Sequence, residues 1–214
     1  MKANETKVDK FLATNETTFA IPVYQRNYDW TLFQCKQLLH DIIETGKNDK
    51  TNAHFIGSIV YVHDDVYTAS GLTELTIIDG QQRLTTITLI YIALYRLAKE
   101  LDNQMLVNRI QKTYLINEFA PEEEKLKLKP TENNKEALRH ILNSADGEEF
   151  KGYSKIIENF DYFKSAINAE NFEVIQRGLS KLIFVDIALD RQKDNPQRIF
   201  ESLNSTGLEL SQAD

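Results

Sequence analysis

The segment from Glu74 to Leu101 restricts the fold more than any other part of this chain. A short β-branched run, Glu74-Leu75-Thr76-Ile77-Ile78, leads through Asp79-Gly80-Gln81-Gln82-Arg83 into Leu84, Ile87, Leu89, Ile90, Ile92, Leu94, Leu97 and Leu101. Those apolar positions are too widely spread for the single stripe of a surface helix, so the pattern predicts a central, buried helix. The expected fold is α+β: a small mixed sheet around that helix, with a helical layer from the later chain.

The flanking segments fill this outline. Residues 1–18 are polar and carry no predicted element, whereas Phe19-Ala20-Ile21-Pro22-Val23-Tyr24 reads as a strand or extended stretch, because Pro22 keeps Ile21 out of the helical region. Apolar residues from Leu32 to Ile43 recur at helical spacing, with Thr31 as N-cap and Gly46 as the stop. Phe55 to Val62 and Glu74 to Ile78 read as a hairpin around a polar loop. After Asp102 the pattern predicts helices over 105–119, 131–142 (capped by Thr131), 153–168 and 172–179. Residues 181–189 follow as a buried strand, and Pro196 opens a helix before Ile199. The expected organisation is a core over 1–101, a helical insert over 102–180, and a returning strand and motif over 181–214. Ser211 or Asp214 would cap a helix beyond the last residue, so the chain is expected to continue.

Charge and composition remove several functions. Lys plus Arg number 25 against 32 Asp plus Glu, a net charge of −7, which disfavours gripping a polyphosphate by bulk attraction. A single cysteine, Cys35, makes no internal disulfide, and the first 16 residues hold no apolar core, so the expected address is cytoplasmic. The longest apolar run, Leu89 to Leu94, is far short of the ~20 residues that span a bilayer, and no membrane partner is expected. The eight glycines show neither a Rossmann spacing nor a Walker A loop. His40, His54, His63 and His140 lack zinc spacing; His54 and His63 read as strand ends, and mid-helix Cys35 as a small buried hydrophobe.

What remains is the strand-to-helix junction at Asp79-Gly80-Gln81-Gln82-Arg83. A helix's first turn offers unpaired N–H groups at the positive end of its dipole, Gly80 permits close approach, and Arg83 adds a bidentate cation. Phosphate is the natural guest. Gln81 and Thr85, and Gln82 and Thr86, stand four apart and would set amides and hydroxyls beside it. Asp79 could hold Mg²⁺ or could cap the helix. Two further segments, Ile21 to Trp30 and Phe200 to Gly207, are dense in aromatic and amide groups that could contact a base or ribose. Their plainer readings are core aromatics at Tyr24, Tyr28 and Trp30, an ion pair of Arg26 with Asp29 or Asp41, and a turn at Asn204 to Gly207.

The three segments together, Ile21-Pro-Val-Tyr-Gln-Arg26 with Trp30, Asp79-Gly-Gln-Gln-Arg-Leu-Thr-Thr86, and Phe200-Glu-Ser-Leu-Asn-Ser-Thr-Gly207, occur in an order that resembles the N-terminal domain of GmrSD-type restriction proteins. The resemblance implies a ParB/sulfiredoxin-like fold and a nucleoside triphosphate-binding and hydrolysing module, with GTP or UTP and Mg²⁺ as the expected ligands. It implies a phage-defence system that cuts modified DNA through an HNH-type nuclease domain in cis, beyond Asp214; whether the chain forms a homodimer stays open. On this resemblance Asp79, Gln81 and Gln82 are the candidate catalytic residues. Asp79 is also the candidate metal ligand, and Gly80, Arg83, Thr85, Thr86, Tyr24, Gln25, Arg26, Asn204 and Gly207 are the candidate nucleotide contacts. Sulfiredoxin chemistry is not expected, since Cys35 lies away from the phosphate loop. The competing reading is a non-enzymatic module in which Arg26, Arg83 and the aromatics recognise modified DNA; a scaffolding domain is a third.

Overall fold

The computed structural model describes residues 2–63, 71–145, 148–190 and 198–199. Six strands among the described residues form one mixed sheet: β1 (Lys2–Lys7), β2 (Thr17–Ala20), β3 (His54–His63), β4 (Thr73–Asp79), β5 (Leu128–Lys129) and β6 (Leu182–Leu189), in the spatial order β1-β6-β3-β4-β2-β5. β3 and β4 are the antiparallel hairpin expected from their alternation. β6 returns parallel to β3 and antiparallel to β1, while β2 runs parallel to both β4 and β5. Parallel pairing of β3 with β6 requires a long crossover, which the helical stretch between β4 and β6 supplies.

Seven α-helices are present among the described residues: α1 (Val8–Leu12), α2 (Leu32–Lys47), α3 (Gln81–Glu100), α4 (Gln104–Ile110), α5 (Glu132–Asn143), α6 (Lys155–Ala166) and α7 (Phe172–Leu179). The fold is α+β, and α3 is its centre. Only Arg83, Leu97, Lys99 and Glu100 of its residues escape burial, because α4 and α6 cover the side that the sheet does not. α2 begins with a capping box between Thr31 and Gln34, and α7 has the expected bounds.

Several elements differ from the sequence expectation. The polar N-terminus holds β1, α1 and the start of β2, and Val8, Phe11 and Leu12 of α1 are buried. β2 ends at Ala20, so Ile21 to Tyr24 are not strand, and Gln25 N closes a turn onto Pro22 O at 3.0 Å. The helix expected over 105–119 stops sooner: α4 passes into a π turn over Gln111–Leu115 and the chain is extended at Ile116. Gly46 does not end α2. A Cβ there would lie 2.1 Å from Val174 O, and one at Gly178 would lie 2.0 Å from Ile42 O, so both glycines let α2 and α7 pack at backbone contact. Pro196, Ser211 and Asp214 lie outside the described residues.

Lys127 ties the irregular segments to the sheet. Its ammonium, almost fully buried, donates to Leu12 O, Thr14 O and Thr113 O at 2.8–3.0 Å, using all three donors. Burial pushes its pKa down to about 8.

Candidate functional site

The cleft beside α3 follows from a mismatch in strand length. β2 ends opposite Thr76, while β4 continues to Asp79. An extra residue in β4, Ile78, also shifts the pairing with β3, where Val60 stands opposite Asp79 and Tyr61 opposite Ile77. The side-chain amide of Gln25 takes over where β2 stops: its Nε2 donates to Ile77 O at 2.7 Å and to Ile78 O at 2.8 Å. Two carbonyl partners fix the orientation of the amide, so Oε1 is a buried acceptor, and it has no partner among the described residues.

A cleft of about 380 Å³ opens there, lined by Tyr24, Gln25, Arg26, Trp30, Ile78, Asp79, Gly80, Gln81, Gln82 and Arg83. It lies at the carboxyl ends of the parallel strands β2 and β4, the usual ligand position in open α/β sheets, and its volume falls within the range of small-molecule sites. Two of the three motifs therefore meet in one place. Asn204 and Gly207, from the third, lie outside the described residues.

The helix terminus is shaped by Gly80. It is the N-cap of α3 with φ +88°, and a Cβ on it would lie 2.8 Å from Ser58 O, so only glycine brings β3 this close. With no side chain at the N-cap, the first-turn N–H groups of α3 lack a side-chain cap. Asp79 is the last residue of β4 and not the cap that the sequence also allowed. Its carboxylate lies 3.9 Å from Arg83 Nη2, beyond hydrogen-bond distance, and both side chains are part-exposed. Arg83 Nη1 donates to Ile56 O at 3.0 Å. Burial lowers the Arg83 pKa and the Asp79 carboxylate opposes that, but a guanidinium stays charged at any physiological pH. The arginine thus lines the cleft with Nη2 outside any close ion pair among the described residues.

The two glutamines have different surroundings. Gln82 Oε1 accepts from Asp29 N at 2.9 Å and Trp30 N at 3.3 Å, and its Nε2 donates to Asn27 O at 3.1 Å. Both ends of this amide are spent on holding the segment before α2 against α3. Gln81 lines the cleft, and its amide makes no hydrogen bond among the described residues.

The threonines do not reach the cleft. Thr85 and Thr86 are buried, and Thr86 Oγ1 donates to Gln82 O at 2.8 Å and meets Tyr28 Oη at 2.8 Å. Tyr28 also receives Asn159 Nδ2 from α6 at 3.1 Å, and Asn159 Nδ2 reaches Trp30 O at 2.8 Å. A stagger of four residues sets each threonine one turn beyond a cleft glutamine, but Thr86 is taken up by Tyr28, which Asn159 of α6 also holds, and Thr85 is buried. Tyr28 is the core aromatic of its segment, with its pKa pushed up mainly by burial, whereas Tyr24 is 58% exposed at the cleft and Trp30 is half-buried. Asp29 pairs with Lys155 and feels the Arg26 charge only as a minor influence, and Asp41 lies 3.9 Å from His54, so neither carboxylate makes a close ion pair with Arg26 among the described residues. Sequence reasoning missed Ile56 and Gly57; a glycine inside a strand is a bulge signal and could have found them.

The donor set bears on the metal. The described residues hold no cluster of three or more His, Cys, Asp or Glu side chains. A lone part-exposed carboxylate at Asp79 fits Mg²⁺, which keeps waters and takes its remaining ligands from phosphates, better than a cation caged by protein alone.

Fold and site together define an α+β domain with an open cleft, lined by Arg83 and Asp79, at the glycine-capped amino end of its central helix. The family model for the GmrSD restriction endonuclease, N-terminal domain, matches residues 8–214, and the chain belongs to that family. No curated protein matches the sequence. Among the described residues no helix is long and apolar enough to cross a membrane.

Proposed function

We propose that the cleft binds a nucleoside triphosphate and that the domain uses it to regulate DNA restriction in phage defence. The observation that carries this reading is the convergence of the uncapped amino end of α3, Arg83 and Asp79 on one open cleft. The N–H groups of the first turn and the Arg83 guanidinium hold the β- and γ-phosphates. Asp79 and the phosphates would hold Mg²⁺, which would supply neutralisation of their charge. Gln81 orients a water whose oxygen bonds to the γ-phosphorus as the bond to the bridging oxygen breaks; the water's proton passes through a phosphate oxygen to solvent, and phosphate and the nucleoside diphosphate leave. Of the two glutamines Gln81 takes this role, since the Gln82 amide is committed elsewhere.

Magnitudes support a site larger than the phosphate grip. A helix terminus contributes up to ~2 kcal/mol and a charge-assisted hydrogen bond ~1.5–3 kcal/mol, which together give roughly millimolar binding. Stacking on Trp30 or Tyr24, worth ~1–3 kcal/mol per base, extends this toward micromolar. Gln25 Oε1 accepts a donor from the ligand or its bound water.

Isothermal titration with GTP, UTP, CTP and ATP in Mg²⁺, beside phosphate release, tests the proposal. Binding is expected to weaken markedly in Arg83→Ala. Undiminished binding in that variant removes Arg83 from the site, and salt-dependent DNA affinity with no nucleotide response favours the DNA-recognition reading.

A further inference from the structure

Arg83 reaches the cleft over an irregularity in β3. Between Phe55, opposite Ile183, and Ser58, opposite Val185, β3 carries two residues against one on β6, so Ile56 and Gly57 form a bulge. The bulge makes Ile56 O available to Arg83 Nη1 at 3.0 Å. Gly57 has φ +103°, and a Cβ on it would lie 2.0 Å from Arg83 Nη1 and 3.0 Å from Cζ. The terminal nitrogen of the arginine therefore occupies the space a side chain at 57 would need.

We propose that Gly57 is a positioning residue for the anion cleft: its missing side chain is the seat that holds the Arg83 guanidinium against Ile56 O, with Nη2 turned to the ligand. The inference rests on the phosphate-binding reading of Arg83. Any side chain at 57 pushes Nη1 off Ile56 O and moves the cation, although residue 57 is not among the residues lining the cleft.

The test is a double-mutant cycle on the 214-residue chain, read as affinity for inorganic triphosphate with Mg²⁺ and as melting temperature without ligand. Arg83→Ala is expected to lose about tenfold to a hundredfold in affinity, the factor for one charge-assisted contact. Gly57→Ala should lose nearly as much, yet cost no further affinity in the Arg83→Ala background. In Arg83→Lys, whose amine ends near the Cζ position, Gly57→Ala should cost only a small further factor. An equal factor in every background would mean that Gly57 acts through general strain, and would overturn the proposal. If Arg83→Ala binds triphosphate like the parent, the phosphate reading fails, and the ligand-free melting temperatures decide the seat alone: Gly57→Ala must lower the parent's more than the Arg83→Ala variant's. If Gly57→Ala does not fold, the double variant, which keeps the strain of φ +103° but loses the contact with Nη1, must recover at least part of the native signal; no recovery refutes the seat.

Discussion

Replacing Gln82 by alanine separates holding the cleft from doing chemistry in it. The side-chain amide makes three hydrogen bonds, at 2.9 and 3.3 Å from Asp29 N and Trp30 N and at 3.1 Å to Asn27 O. At a net ~1 kcal/mol for each, with the 3.3 Å bond weaker, the loss is about 2–3 kcal/mol. For a chain of this size that lowers the melting temperature by roughly 5–10 °C. The released segment carries Arg26, which is exposed, so trypsin should cut there faster than in the parent. Affinity for nucleoside triphosphate should fall as well, because Tyr24, Gln25, Arg26 and Trp30 of that segment line the cleft. Thermal melts, timed tryptic digests and titration together read all three effects. A variant with parental melting temperature, tryptic resistance and affinity, but slower phosphate release, would refute the clamp and make Gln82 the water-orienting residue.

Other expectations follow from single groups. Gly80→Ala combines a positive φ, costing about 1–3 kcal/mol in strain, with a contact at 2.8 Å to Ser58 O; its urea midpoint should fall clearly, and an unchanged midpoint would show that the junction relaxes freely. Lys127 titrates at about 8 in the fold against the ordinary 10.5, so between these values the unfolded chain binds the proton more tightly and stability rises with pH. Urea titrations of the parent and Lys127→Met from about pH 7.5 to about pH 10 should show the parent gaining on the variant by up to ~3 kcal/mol; a constant gap would contradict this. Cys35 is fully buried and its thiol pKa is raised by burial, so a thiol-specific reagent should react slowly with the native protein and rapidly in denaturant. Fast labelling of the native state would contradict that packing.

The legible parts of this fold are those where local pattern and tertiary burial agree. The broad apolar set of α3 announced its central place, Thr31 marked the start of α2, and His54 and His63 are the ends of β3. β1 was not legible, because its alternating residues carry no apolar face; its pairing from Lys2 opposite Ala188 to Lys7 opposite Ile183 is decided by the neighbour it meets. α1 did leave a signal in the i, i+3, i+4 spacing of Val8, Phe11 and Leu12, hidden in a polar context. Within the site, the sequence located the strand–glycine–helix junction and brought the segment around Gln25 to it. It does not say how deep the helix is sunk one turn past its start, where Thr85 and Thr86 are buried and Thr86 bonds to Tyr28 instead of reaching the cleft. The division of labour between Gln81 and Gln82 depends on the path of a loop that propensities do not encode.

The most direct measurement is a crystal structure of the chain grown with a non-hydrolysable GTP or UTP analogue and Mg²⁺. The triphosphate is expected within hydrogen-bond distance of the first-turn N–H groups of α3, with Arg83 Nη2 on a phosphate oxygen and the metal beside Asp79. A nucleotide seated elsewhere, or a cleft left empty at saturating analogue, would contradict it.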